Sequence, residues 1–244
     1  RSYHKRVIPS FPALPPGPHT PTGPDETAAG KDQMSIYTAT AAAAAPGKTL
    51  VAWNELATRT IPAGTVLEYW DATMKNLPEA EDGLKMGARF VLSPARHAYL
   101  DFKYHNDPKD YGHSWTTGTS LEDSYRWEPT EYLKRADGTF VLGEADVLGV
   151  STALWTEYAR AGNLPAYSQK KTDLPPMVYA EYMTFPRLAS IAEIGWSPKS
   201  SHSWDDYKVR LGYQGARWEA FGIGYFRSPD IQWKTPSDVL LLNR

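Results

Sequence analysis

Aromatic rings and carboxylates stand close together at four places in this chain of 244 residues. The four segments are Trp53-Asn54-Glu55, Tyr69-Trp70-Asp71, Tyr99-Leu100-Asp101 and Trp155-Thr156-Glu157. Sugars have apolar C–H faces and a rim of hydroxyls, so a sugar site needs rings to stack on and carboxylates to accept hydrogen bonds. Any one of these segments is more simply a core ring whose polar tip has found a partner. Their recurrence favours a carbohydrate site.

A second candidate for chemistry is the acid pair Asp25-Glu26, which follows Gly23-Pro24. By itself, an Asp-Glu dipeptide on a Gly-Pro turn is typical of a solvated loop. It is equally typical of the negative charge that favours the start of a helix. The pair gains a catalytic interpretation only from the sequence around it.

Short β-branched or apolar runs lead into the four ring and carboxylate segments. These predicted strands are Thr49–Ala52, Thr65–Tyr69, Arg89–Leu92 and Val147–Val150. Helical or loop stretches separate them, which predicts a parallel sheet with right-handed crossovers. A doubly wound sheet would gather its site at one switch point, usually with a Gly-rich turn, and no GxGxxG motif is present. Polar residues at the ends of successive strands instead favour a TIM (β/α)₈ barrel.

The rest of the chain fits a single domain over residues 1–244. Prolines crowd residues 1–30, which we expect to hold only fragmentary strands and loops. A helix is predicted over 31–45, stopped by Pro46-Gly47. Further helices are predicted as one continuous segment over 177–196 and from Trp204 to Phe221.

Composition limits the possible functions. Lys and Arg total 26 against 28 Asp and Glu, a net charge of −2 that argues against a nucleic-acid partner. No run approaches the roughly 18 apolar residues of a membrane span. The chain opens without an apolar leader, yet we expect a secreted or extracellular protein. Without cysteine, and without paired histidine spacing, we predict no metal site and no cofactor.

Several longer stretches identify a family resemblance. They include GKTLVAWNELA, VLEYWDAT, VLSPARHAYLDFKY, VLGVSTALWTE and EYMTFPRLASIAEIGWSP. In this order they resemble glycoside hydrolase family 20, the β-N-acetylhexosaminidases, most closely over residues 47–233. The resemblance implies a TIM barrel that binds a carbohydrate with a terminal N-acetylhexosamine.

The resemblance also implies roles for particular residues. Glu26 would be the general acid/base, and Asp25 would orient and stabilise the acetamido nitrogen of the substrate. The hydroxyl of Tyr99 would bind the acetamido carbonyl oxygen. Trp53, Trp70 and Trp155 would form the walls of the acetamido pocket. Asp101 and Glu157 would accept hydrogen bonds from sugar hydroxyls. Trp115 would lie near the leaving group, and Arg1 would bind sugar hydroxyls.

The implied activity is that of a retaining exo-glycosidase acting on terminal β-linked N-acetylglucosamine or N-acetylgalactosamine. In this family the substrate's own N-acetyl oxygen is the nucleophile, and it closes an oxazolinium ring. Two alternatives stay open at this stage. One is a lacto-N-biosidase of the same family, and the other is a non-catalytic glycan-binding barrel.

Two departures from the family pattern affect the N-terminal side. Pro24 stands where the family has a second glycine before the acid pair. In addition, the steps from Lys5 to Arg6 and across Thr20–Pro24 skip whole barrel segments, which leaves the first half of the barrel incomplete. We expect residues of the complete protein to be absent there, with at least one gap between Arg1 and Asp25 well beyond the roughly 3.8 Å of adjacent Cα atoms. A naturally shortened barrel is the alternative.

Overall fold

The computed structural model describes residues 36, 40–41, 44–73, 75, 77–105, 107, 109–113, 115–156, 174–235 and 237–238. Predictions on Arg1, Asp25, Glu26 and Glu157, and on the shortened N-terminal side, lie outside these residues. The predicted helix over 31–45 is only partly described. Of that segment, Ile36, Thr40, Ala41 and Ala44 are helical, and the chain turns at Ala45–Gly47.

The centre of the described structure is a sheet of four parallel strands. They are β1 (Val51–Trp53), β2 (Val66–Tyr69), β3 (Arg89–Leu92) and β4 (Val147–Val150). Their order in the sheet is the same as their order in the chain. This sequential progression is that of a (β/α)₈ barrel, whereas a doubly wound sheet reverses direction at a switch point. The described strands thus form part of a TIM barrel, and the four strand predictions are confirmed.

Seven helices connect and cover these strands in the described ranges. They are α1 (Leu77–Lys85), α2 (Ala95–Ala98), α3 (Leu121–Tyr125), α4 (Pro129–Tyr132), α5 (Pro176–Thr184), α6 (Arg187–Trp196) and α7 (Trp204–Ala220). Short 3₁₀ helices span Asn54–Thr58 and Lys199–Ser201. The helix predicted from Trp204 is confirmed as α7, where the Ser203 hydroxyl caps the first turn by accepting from the backbone N–H of Asp206.

The prediction of one continuous helix over 177–196 is wrong. Helix α5 ends at Thr184 and α6 begins at Arg187, with Phe185 and Pro186 between them. Proline has no N–H to donate, and its ring clashes with the carbonyl of the preceding turn, so the helix cannot run through position 186. The break allows α6 to pack on the sheet with its own orientation.

The two faces of the sheet have different environments. Leu67 and its register partner Phe90 are fully buried and pack in one cluster with Ile191 and Ile194 of α6. Successive side chains on a strand point to opposite faces. Glu68 therefore lies on the other face, where it is half-buried. The face that carries Glu68 is the one turned away from α6.

Candidate active site

The five aromatic residues predicted for the site form one contiguous group, which we call the ring cluster: Trp53, Trp155, Tyr99, Trp70 and Trp115. In that order, successive ring centroids lie 6.2, 6.2, 6.5 and 6.4 Å apart. Trp53 ends β1, Trp70 follows β2, and Trp155 follows β4. The cluster therefore lies at the carboxyl ends of the parallel strands, where TIM barrels build their active sites.

Backbone pairing beyond the strands brings Tyr99 and Trp155 together. The N–H of Leu100 donates to the carbonyl of Ala153 at 2.8 Å, and Tyr99 forms an isolated parallel bridge with Ala153. This bridge continues the pairing of β3 with β4 after α2 has intervened. Because Trp155 follows Ala153 by two residues, its ring reaches Tyr99.

The rings of the cluster differ in their exposure to solvent. Tyr99 is only 5% exposed, while Trp155 is 42% and Trp115 is 55% exposed. Large rings left in water at one place mark a binding surface, because burying them against a ligand is favourable. A ligand would thus meet open tryptophans first and Tyr99 at the bottom.

The hydroxyl of Tyr99 is prepared to donate a hydrogen bond. Burial raises the pKa of Tyr99, the charges of Asp101 and Glu68 raise it further, and a hydrogen bond from Trp155 lowers it. The phenol is therefore protonated at neutral pH, as it would be at its ordinary pKa of about 10. A protonated hydroxyl can donate to an acceptor placed beside it. An amide carbonyl oxygen is such an acceptor.

Asp101 lies two residues beyond Tyr99 and is buried, with 1% exposure. Its Oδ2 lies 3.7 Å from Nε2 of His113, and its carbonyl oxygen accepts from the N–H of His113 at 2.7 Å. Gly112 allows this close approach because it has φ +109°, and a Cβ there would lie 2.5 Å from the carbonyl oxygen of Asp101. The role of Asp101 in accepting sugar hydroxyls stays a prediction.

Two carboxylates of the repeated segments bind partners within the protein. Asp71 is buried, and its Oδ1 accepts from the N–H and the hydroxyl of Thr73 at 2.8 and 2.9 Å. Oε1 of Glu55 accepts from the indole N–H of Trp70 at 2.5 Å. Glu55 and Asp71 therefore act as hydrogen-bond partners of neighbouring protein groups, which is the simpler of the two interpretations of these segments.

Sequence reasoning missed Asn54. This side chain is fully buried, donates from Nδ2 to Oε2 of Glu79 at 2.9 Å, and accepts from the backbone N–H of Trp70 at 3.3 Å. One feature of the sequence could have indicated this role. Asn54 directly follows a predicted strand, and a polar side chain that is buried there requires partners on neighbouring elements.

Sequence reasoning also missed Arg187, which is fully buried at the start of α6. Its guanidinium donates to the carbonyls of Leu100, Phe102, Thr119 and Met183. It also lies 3.9 Å from the ring centre of Tyr104. Arg187 thereby fixes the segment that carries Asp101 and Trp115. Nothing in the sequence around Pro186 indicates the three distant partners, the carbonyls of Leu100, Phe102 and Thr119.

Neither a metal site nor a membrane span is found among the described residues. No group of three or more His, Asp or Glu side chains in these ranges could hold a metal ion. In the same ranges, no helix has the length and apolar character needed to cross a bilayer.

Sequential parallel strands that carry a ring cluster at their carboxyl ends define this structure as part of a TIM barrel with a candidate ligand site. The sequence model for the catalytic domain of glycosyl hydrolase family 20 matches residues 26–199. The chain belongs to this family. The matched range includes Glu26 and the whole ring cluster.

Individual relatives agree with this membership. A β-N-acetylhexosaminidase of Cellulomonas fimi is 29% identical over 242 residues, which is 98% of this chain and 44% of that protein. A mutant of Streptomyces plicatus β-hexosaminidase, solved in complex with its product GlcNAc, superposes with a TM-score of 0.69 at 35% identity. That match covers 84% of this chain and 37% of the other.

A third similar protein is an exo-β-N-acetylglucosaminidase of Vibrio harveyi, solved in complex with N-acetylglucosamine. Its TM-score is 0.63 at 27% identity, over 84% of this chain and 28% of the other. The chain thus spans less than half the length of each of these three relatives.

Proposed function

We propose that this chain is part of a retaining exo-β-N-acetylhexosaminidase, which removes terminal N-acetylglucosamine or N-acetylgalactosamine from a glycan. The observation that carries the proposal is the ring cluster at the carboxyl ends of the strands, with the buried Tyr99 between Trp155 and Trp70. Family membership supports the reaction type. The C. fimi relative is named for the same activity.

The ring cluster suits a reaction in which the substrate supplies its own nucleophile. The acetamido carbonyl oxygen would attack the anomeric carbon as the glycosidic C–O bond breaks, which forms an oxazolinium ring. Tryptophan walls restrict the acetamido group to the attacking position, and such positioning lowers the barrier because the attack is intramolecular. The Tyr99 hydroxyl would donate to the same carbonyl oxygen and so fix its direction.

Two carboxylates would complete the mechanism. Glu26 gives its proton to the leaving oxygen, and Asp25 offsets the positive charge that grows on the acetamido nitrogen. Water then opens the oxazolinium ring at the anomeric carbon, with Glu26 as the base, so two inversions give net retention. Adjacent acids repel each other, which favours a protonated Glu26 at working pH.

A substrate panel tests the proposal. We expect p-nitrophenyl β-glycosides of GlcNAc and GalNAc to be hydrolysed, with the β-anomer of the sugar appearing first in ¹H NMR spectra. If only the aryl lacto-N-bioside is hydrolysed, the protein is a lacto-N-biosidase and the proposal is wrong. Binding of a thiazoline mimic without any hydrolysis would replace it with a glycan-binding barrel. Release of the α-anomer would refute the retaining mechanism.

We also propose that the protein acts on its glycan outside the cell. Fractionation of cells that express the complete protein would test this, with activity expected in the medium or on the cell surface. Activity confined to the cytosolic fraction would contradict it.

A further inference from the structure

Trp70 lies between Tyr99 and Trp115 in the ring cluster. It stacks nearly parallel to Tyr99, with 24° between the planes, and meets Trp115 edge-on at 81°. A rotation of this single indole would change both contacts. What holds the plane of Trp70 therefore also decides the shape of the ligand site.

Two hydrogen bonds hold Trp70, and both come from the residues that directly follow Trp53. The indole N–H donates to Oε1 of Glu55 at 2.5 Å, and the backbone N–H donates to Oδ1 of Asn54 at 3.3 Å. A hydrogen bond to a charged acceptor is roughly twice as strong as one between neutral groups. Trp53, the last residue of β1, and Trp70, directly after β2, are thereby linked through one short 3₁₀ helix.

That 3₁₀ helix is itself anchored. Asn54 is fully buried, and its Nδ2 donates to Oε2 of Glu79 on α1 at 2.9 Å. The backbone of Glu55 is thus fixed, although its side chain is exposed. An exposed carboxylate on a fixed backbone can orient the indole, and its removal leaves no hole in the core.

We propose that Glu55 is a positioning residue, which sets the plane of Trp70 and so shapes the ligand site without itself binding the reacting atoms. The inference rests on the proposed function only in naming the acetamido sugar as the group that the oriented ring contacts. The orientation of Trp70 by Glu55 can be measured without any turnover.

Three variants of this chain test the proposal. Glu55→Leu removes the acceptor, and Glu55→Gln keeps an oxygen at the same distance from the backbone. Glu144→Leu is the matched control, because Glu144 is also exposed but precedes β4, at the opposite ends of the strands. Thermal unfolding of all three measures any general loss of stability.

The first measurement is the indole N–H signal of Trp70 in ¹H–¹⁵N spectra, assigned through Trp70→Phe. We expect Glu55→Leu to move this signal and to speed its exchange with solvent, while Glu55→Gln and Glu144→Leu leave it near its original position. An unchanged Trp70 signal in Glu55→Leu would overturn the proposal.

The second measurement is kinetic. Losing a hydrogen bond to a charged group changes an equilibrium constant by about 10- to 100-fold. We expect Glu55→Leu to raise KM for the aryl GlcNAc glycoside by about tenfold, at the lower end of that range, with Glu55→Gln within about threefold of the parent. A merely structural role would lower the unfolding midpoint and kcat and leave KM unchanged, and that result would also overturn the proposal. If the parent chain hydrolyses no glycoside, the proposed function fails while the Trp70 signal still decides the role of Glu55.

Discussion

Replacing Tyr99 with Phe tests the hydroxyl of the buried ring in the ring cluster, because only that group is removed. The ring contacts with Trp70, Phe102 and Trp155 stay in place because phenylalanine has the same ring. What is lost is the hydroxyl, which is protonated at neutral pH and can donate a hydrogen bond. An acetamido carbonyl held there would have no donor, which costs about 1–3 kcal/mol, or about 5- to 150-fold in kcat/KM.

The same substitution should leave the fold nearly unchanged. The neighbouring Trp155 is 42% exposed, so water can reach polar groups beside the lost hydroxyl. We therefore expect the free energy of unfolding of Tyr99→Phe to fall by less than about 1 kcal/mol. The control is Tyr207→Phe, which removes a buried hydroxyl hydrogen-bonded to Ser190 at 2.9 Å. It should lower stability and leave kcat/KM unchanged.

The assay compares the aryl GlcNAc glycoside with a thiazoline mimic of the cyclised intermediate and with a glucose-type ligand that lacks the acetamido group. We expect Tyr99→Phe to weaken the thiazoline much more than the glucose-type ligand, because only the first resembles the transition state around the acetamide. Equal weakening of both would show that Tyr99 does not bind the acetamide. An unchanged kcat/KM would refute the reasoning from protonation and burial.

Three further predictions concern catalysis, packing and pH. Glu26→Gln should lower turnover by roughly 10²- to 10⁴-fold and affect aryl glycosides with good leaving groups least, and a near-normal rate on a natural glycan would refute its role as acid. Gly112→Ala should destabilise the fold by about 2–4 kcal/mol in denaturant unfolding, because a Cβ at positive φ would meet the backbone of Asp101; stability within experimental error would contradict this. Burial lowers the pKa of His97 in the folded state, so the unfolded state binds its proton more tightly. Well above pH 6.5, the ordinary pKa of histidine in the unfolded state, His97 has no effect on the free energy of unfolding. As the pH falls below about 6.5, His97 increasingly destabilises the folded state. His97→Gln should therefore flatten the loss of stability between about pH 7 and 5, and an unchanged slope would exclude this group.

Much of the sheet was predictable from local patterns. The runs Arg89–Leu92 and Val147–Val150 are strands with the predicted bounds. Strand β2 begins one residue later than predicted, and β1 begins two residues later and ends one residue later than predicted. Alternation of apolar residues is a property of a few neighbouring positions, so the sequence alone contains it. The order of ring-bearing segments after the strands also predicted that Trp53, Trp70, Tyr99 and Trp155 meet at one end of the sheet.

Other features depended on contacts between distant elements. Asp101 faces His113, 12 residues further along the chain, and only the packing of the two segments decides that contact. By contrast, Asp71 binds Thr73 only two residues away, which is a local contact. The single-helix prediction over 177–196 also failed for a local reason, because apolar periodicity continues through Pro186, which cannot donate a backbone hydrogen bond.

The sequence by itself determined the residue types of the candidate site, the strands that carry them and the family to which they belong. Only the tertiary structure decided how these residues are held. Glu55 meets the indole of Trp70 across 15 positions of chain, and Arg187 reaches the carbonyl of Leu100 across 87. Hydrogen-bond partners at such separations are chosen when elements pack, because a buried polar group must be satisfied by whatever neighbour the fold brings to it.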